Sequence, residues 1–172
     1  MKYIVTLIAL LFLSACSTLQ TQVDYAEGYD FSKIKTFAVV HKVKEGESTL
    51  VADRITQAIK QTLKQKGLEE VPQLKADVVM LFHLNVQNKT EIYTDYQMVG
   101  YGRYGGMVIS TPRSYNYDEG KLIIDAYDPH KNKTVYRVVL TDEIKYKKTP
   151  KERSEYVLEV VEKGLKNFLE KK

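Results

Sequence analysis

Three short stretches of this chain are apolar at every position: Val78-Val-Met-Leu-Phe82, Leu122-Ile-Ile124 and Val138-Val-Leu140. They are brief and mostly β-branched, so each reads as a strand. Successive side chains of a strand point to opposite faces, which sets Val78, Met80 and Phe82 against Val79 and Leu81. A strand that is apolar on both faces is normally covered on both. The rest of the chain must therefore supply two covers for one sheet. No intrachain disulfide can help, because Cys16 is the sole cysteine.

One cover is easily found. "KTFAVVHKV" (35–43) reads as a first strand, Gly46 ends it, and Ser48 or Thr49 can cap a helix running to about Lys66. Val51, Ile55, Ala58, Ile59, Thr62 and Leu63 recur at three- and four-residue spacing and share one face. Gly67 followed by Leu68 is a C-terminal stop with its hydrophobic contact. "ADVVMLFHLNVQ" (76–87), which can run on to Tyr93 as an extended strand, completes a strand-helix-strand unit, which predicts a parallel crossover. Further on, "GKLIIDAYD" and "KTVYRVVLTDEI" flank Pro129-His130-Lys131-Asn132 and suit an antiparallel hairpin. Thr149-Pro150-Lys151-Glu152 is a capping box with proline at the first helical position, and Val157, Val160, Val161, Leu165, Phe168 and Leu169 follow as one apolar stripe.

The expected architecture is an α+β two-layer sandwich in the order β-α-β-β-β-α. It has a mixed sheet of about four strands and both helices on one face. The second face still needs a lid, and residues 93–117, "YTDYQMVGYGRYGGMVISTPRSYNY", are the candidate. This Tyr/Gly-rich insertion is long, weakly charged and rich in rings, with Tyr93, Tyr96, Tyr101, Tyr104, Tyr115 and Tyr117 among the thirteen tyrosines of the chain. Tyrosine offers contact area at modest rotamer cost, a composition suited to adaptable binding. The same residues could simply extend two strands. The expectation taken forward is a roof over the second sheet face that also contacts a partner.

The first twenty residues read as an address. Met1-Lys2 is a short positive start, Tyr3 to Leu13 is apolar, and small residues follow, the layout of a secretory signal. Such a run spans about 15–17 Å as a helix, half of the ~30 Å hydrocarbon core, so it cannot cross a bilayer. Leu13-Ser14-Ala15-Cys16 resembles the lipobox of bacterial lipoproteins. That resemblance implies removal of residues 1–15, acylation of Cys16 with palmitate-type chains, and, since Ser17 is not an aspartate retention signal, an outer-membrane site facing the periplasm. Two or three acyl chains make desorption negligible. Residues 16–30 then form the lipidated N-terminus and a linker reaching at most about 45–50 Å, and residues 31–172 form a single domain. Cleavage removes one charge, Lys2, taking the net charge from +4 to +3. The remaining lysines are interleaved with acids, a solvated surface and not a nucleic-acid footprint.

No catalytic constellation stands out. Gly100, Gly102 and Gly105 match G-x-G-x-x-G, but the dinucleotide motif needs a helix after it and Met107-Val-Ile-Ser-Thr-Pro112 follows. His41, His83 and His130 lack metal-ligand spacing, so no metal or cofactor is expected. Asp125, Asp128, Asp142 and Glu143 alternate with apolar residues as a polar strand face does. Asn88 and Asn132 fit a glycosylation sequon but read as turn residues.

Taken together, "YDFSKIKTFAVV", "RITQAIKQTLKQKGLEEV", "ADVVMLFHLNV" and "GKLIIDAYDPHKNKTVYRVVLTDEI" resemble bacterial lipoproteins of domain-of-unknown-function family 4136. The family implies an envelope location and this fold class, with no established activity. The expected role is a non-catalytic envelope lipoprotein, anchored to the membrane through Cys16, that binds a protein or another envelope component through its tyrosines. The alternative is a small-ligand binder or a hydrolase acting on envelope material.

Overall fold

The computed structural model describes residues 19–100, 107–144 and 149–170. Its fold is α+β: two helices and one mixed sheet of six strands, not about four. The strands are β1 (Gln20–Tyr25), β2 (Thr36–Val40), β3 (Glu69–Glu70), β4 (Val78–Val99), β5 (Met107–Asp128) and β6 (Lys133–Glu143), and their order across the sheet is β1-β6-β5-β4-β2-β3. Helix α1 is Thr49–Gln65 and helix α2 is Pro150–Leu165.

The two additional strands are edge pieces. β1 lies where a linker was expected, pairing antiparallel with β6 from Gln20↔Thr141 to Tyr25↔Tyr136. All six of its residues are exposed, so its sequence carries no apolar alternation to announce it. β3 is two residues that join β2 in parallel. The expected parallel crossover is present, with β2 beside β4 from Phe37↔Val78 to Val40↔Leu81. Asp77 clamps the start of this pair, accepting from the Lys35 N–H (2.9 Å), the Thr36 N–H (2.8 Å) and the Thr36 hydroxyl (2.8 Å).

Local signals act as their chemistry requires. At the α1 terminus Gly67 adopts φ 86°, a conformation natural only to glycine, and the Leu68 N–H returns to the Leu63 carbonyl at 3.1 Å. Thr149 accepts from the Glu152 N–H while Glu152 accepts from the Thr149 N–H, closing the capping box. The β5–β6 turn is held by Asp128, which accepts from the His130 and Lys131 N–H groups. Asn132 sits in that turn at φ 53°, whereas Asn88, read as a turn residue, is inside β4.

Both helices cover one face of the sheet. Phe37, Val78, Met80, Phe82, Ile124, Val138 and Leu140 pack there against Ile55, Ile59, Leu63, Val161, Leu165 and Phe168. Gly164 permits the close seat of α2, since a Cβ would lie 2.6 Å from Leu140 Cδ1. The opposite face has only a small cluster of Ala38, Ala76 and Val79, with Val40, Val71, Leu81 and Tyr127 packed around it. Beyond it the face carries the half-buried Ile123 and Val139 among polar residues, with Asp125 bound bidentately by Arg137 at 2.6 and 2.8 Å.

Candidate functional site: a hairpin arm and the cleft at its root

None of the described residues of the Tyr/Gly-rich segment forms the expected lid over the second face. β4 and β5 run on as a continuous antiparallel ladder from Val79↔Tyr127 to Val99↔Met107 and carry most of the segment away from the body. β2 leaves β4 at Leu81, and beyond Glu119 the Ile144 N–H still donates to the Asp118 carbonyl at 2.8 Å, so among the described residues the ribbon from Lys89 outward has two strands and two unpaired edges. Its length from Gln87 to Val99 is about 40 Å at the usual rise of an antiparallel strand. The roof fails as a prediction because cross-strand pairing runs on from the sheet into the described part of the segment and bonds about half of its backbone groups there, the outward half being left to water.

The arm changes character along its length. Near the root its rungs are polar, with Asn88 donating to Asp118 (3.0 Å) and Thr90 to Asn116 (2.7 Å) on the helix side. On the other side Tyr93 and Tyr117 both donate to Glu91, at 3.0 and 2.9 Å, Tyr115 donates to Glu143 at 2.6 Å, and the Tyr115 and Tyr117 rings stack at 5.7 Å. Those bonds to carboxylates raise the three phenols above their ordinary pKa, because a phenolate beside Glu91 or Glu143 would lose the bond and meet like charge. Beyond the Arg113–Asp95 ion pair, 3.3 Å, apolar side chains predominate toward the tip. Tyr96, Met98, Met107, Val108 and Ile109 are exposed, with Met98 at 77%, Tyr96 at 71% and Met107 at 68%, and Ile92 below them at 74%.

The predicted tyrosines therefore divide. Tyr93, Tyr115 and Tyr117 form one cluster organised by Glu91; Tyr96, paired with Ser110, is on the opposite face. Tyr101, Tyr104 and Cys16 lie outside the described residues. Glu91 was not singled out by sequence, although its alternation with Tyr93 already placed the two on one face.

Where the arm leaves the body, the N-terminal halves of α1 and α2 and the sheet enclose a cleft of about 560 Å³. Ile55, Leu122 and Leu140 form its floor, and Val51, Leu84, Val157 and Val160 its walls. Ser48, Leu50, Arg54, Val86 and Arg153 stand at the mouth, and Leu19 also borders it. Its polar wall is a pair, the Tyr156 hydroxyl donating to Asp142 at 2.9 Å. Burial, then this bond, push the Tyr156 phenol well up.

The remaining candidates are structural. His41 stacks on Phe82 at 3.9 Å with Nε2 3.0 Å from Glu47, whereas His83 is exposed, and no cluster of three metal-ligating side chains occurs among the described residues. Asp125 holds Arg137, Asp128 accepts from Tyr29, Asp142 from Tyr156 and Glu143 from Tyr115, so the four acids serve four different partners. Gly100 is followed across residues 101–106 by β5, not by a helix. No helix among the described residues is long and apolar enough to cross a membrane.

Comparison with solved structures finds several similar chains of low sequence identity. A PDZ domain protein from Parabacteroides distasonis matches with a TM-score of 0.58 at 14% identity, over 97% of this chain and 40% of that one. The chain thus spans well under half of that protein's length. A DUF4136 family protein from Bacteroides thetaiotaomicron matches at 0.48 and 14% identity, over 88% and 96% of the two chains. PelC from Paraburkholderia phytofirmans, crystallised as a dodecamer, matches at 0.49 and 10% identity, over 86% and 94%. No curated protein matches the sequence. The family model for the domain of unknown function DUF4136 matches residues 21–168, from the second residue of β1 to Phe168 beyond α2, and the chain belongs to that family.

Proposed function

We propose that the chain is a non-catalytic binding module of the bacterial envelope, anchored to the outer membrane by acyl chains on Cys16, that docks a protein partner with its hairpin arm. One observation carries the docking role: an apolar tip is held about 40 Å from the core on a ribbon with unpaired edges. A two-stranded ribbon is marginal in water by itself, and free edges with exposed apolar side chains invite strand addition by another chain. The polar rungs near the root keep the ribbon soluble up to the point where the tip engages. The anchoring role is supported by the lipobox-like tetrad.

A photoreactive residue in place of Met98 tests the docking. Crosslinking in cells should give one discrete adduct with an envelope protein, and none when the photoreactive residue replaces Leu74 instead, 98% exposed on the body. The same adduct from both positions, or none from Met98, refutes the reading. Anchoring is tested separately by the intact mass of the membrane-extracted protein, which should lack fifteen residues and carry lipid. Small-ligand binding is favoured by the cleft.

A further inference from the structure

We propose that the cleft between α1, α2 and the sheet binds a single-chain anionic amphiphile, a fatty acid or lysophospholipid, with its acyl chain inside and its head at Arg54 and Arg153.

Protein interiors are packed with few voids larger than a water molecule, yet this space of about 560 Å³ lies open between two helices and the sheet they cover. It falls within the range of small-ligand sites, which are mostly apolar with a few converging polar groups. A methylene takes up about as much room as a water molecule in the liquid, about 30 Å³. The cleft therefore matches one chain of up to about 18 carbons, and not the two of a phospholipid. Leu50 is 64% exposed at the mouth, an apolar side chain placed where an entering chain would pass.

The mouth selects the head. Arg54 gives one N–H to the Leu50 carbonyl of its own helix at 3.3 Å, and Arg153 brings a second guanidinium from the other helix. Among the described lining residues the carboxylate is Asp142, which accepts from Tyr156. Two cations beside an apolar space suit a carboxylate or phosphate with a hydrocarbon tail. An acyl chain on Cys16 itself would bring no anionic head, which favours a separate molecule. Under the anchoring proposed above the supply is near, since Leu19 is three residues from Cys16 and borders the cleft. The test uses a dissolved probe, so its failure and the failure of the anchor are read independently.

The chain starting at Ser17 contains the whole core, from Phe31 to Phe168. Titrated with cis-parinaric acid, it should give saturable fluorescence at one site per chain. Val160→Trp, which fills the cleft, should abolish the signal, with circular dichroism confirming the fold. Arg54→Glu, at the mouth, should weaken parinarate roughly three- to tenfold and leave the affinity of its methyl ester unchanged. Absence of saturable binding overturns the site, as does full binding by the folded Val160→Trp chain. Equal effects of Arg54→Glu on acid and ester overturn the assignment of the head.

Discussion

Between Val78 and Val86, β4 buries Val78, Val79, Met80 and Phe82; between Asn88 and Met98 the same strand, in the same ladder with β5, has no fully buried residue. Hydrogen bonding continues across the boundary, and what stops is the covering of the sheet by helices and by neighbouring strands. The inner half is held by apolar contact, whose loss is costly. The outer half is held by its pairing, by cross-strand side chains, and by its attachment to the inner half. A continuous ladder thus joins a core to a projection that contributes little to the stability of the core.

The largest expected contrast is in amide exchange. Amides of Met80 and Phe82 should exchange only on global opening, while those of Ile92 to Met98 should exchange about a thousandfold faster or more. Equal protection in the isolated chain would show that the arm is covered. Next comes a pair of truncations on one face of one strand. Phe82→Ala should cost about 3–5 kcal/mol in urea denaturation, and Ile92→Ala under about 0.5 kcal/mol. Comparable losses would break the distinction between the two halves.

A smaller effect should appear at the clamp on β2. Burial pushes the Asp77 carboxyl up, but the bonds from Lys35 and Thr36 outweigh it and hold its pKa below the usual value. A carboxyl depressed on folding contributes stability in full above its unfolded pKa, near 4, and loses that contribution as pH falls toward its native pKa. Asp77→Asn should therefore cost about 1–3 kcal/mol at neutral pH, with the gap to wild type closing below about pH 4. The smallest effect belongs to the arm. Glu91→Gln should bring the Tyr93 and Tyr117 phenols back down toward the ordinary range in an ultraviolet titration, with the urea midpoint unmoved.

What the sequence disclosed was what neighbouring residues decide. The capping box at Thr149, the glycine stop at Gly67 and the turn at Asp128 each depend on a few consecutive side chains, and all three are present. What it concealed depends on partners distant along the chain. Gln20–Tyr25 is strand because β6 has a free edge beside it, and none of its own side chains is buried. Residues 93–117 resemble a loop in composition, and 93–99 and 107–117 become ribbon because β4 and β5 enter the segment already in register. The candidate tyrosines were legible as a group, but their division between two faces follows only from that register. The cleft was not legible, since its lining is drawn from α1, α2, three strands and the residues that flank them, its apolar members reading singly as ordinary core positions and Arg54 and Asp142 as solvated ones.

β1 would also set the mechanics of the proposed attachment. Pairing that starts at Gln20 shortens the proposed leash from some fourteen residues to the three between Cys16 and Gln20, a reach of about 10 Å in place of about 45–50 Å. A body tethered so closely has little freedom to tumble or to search a wide volume. Any pull on the anchor would be borne first by the β1–β6 hydrogen bonds, and any long reach would fall to the arm.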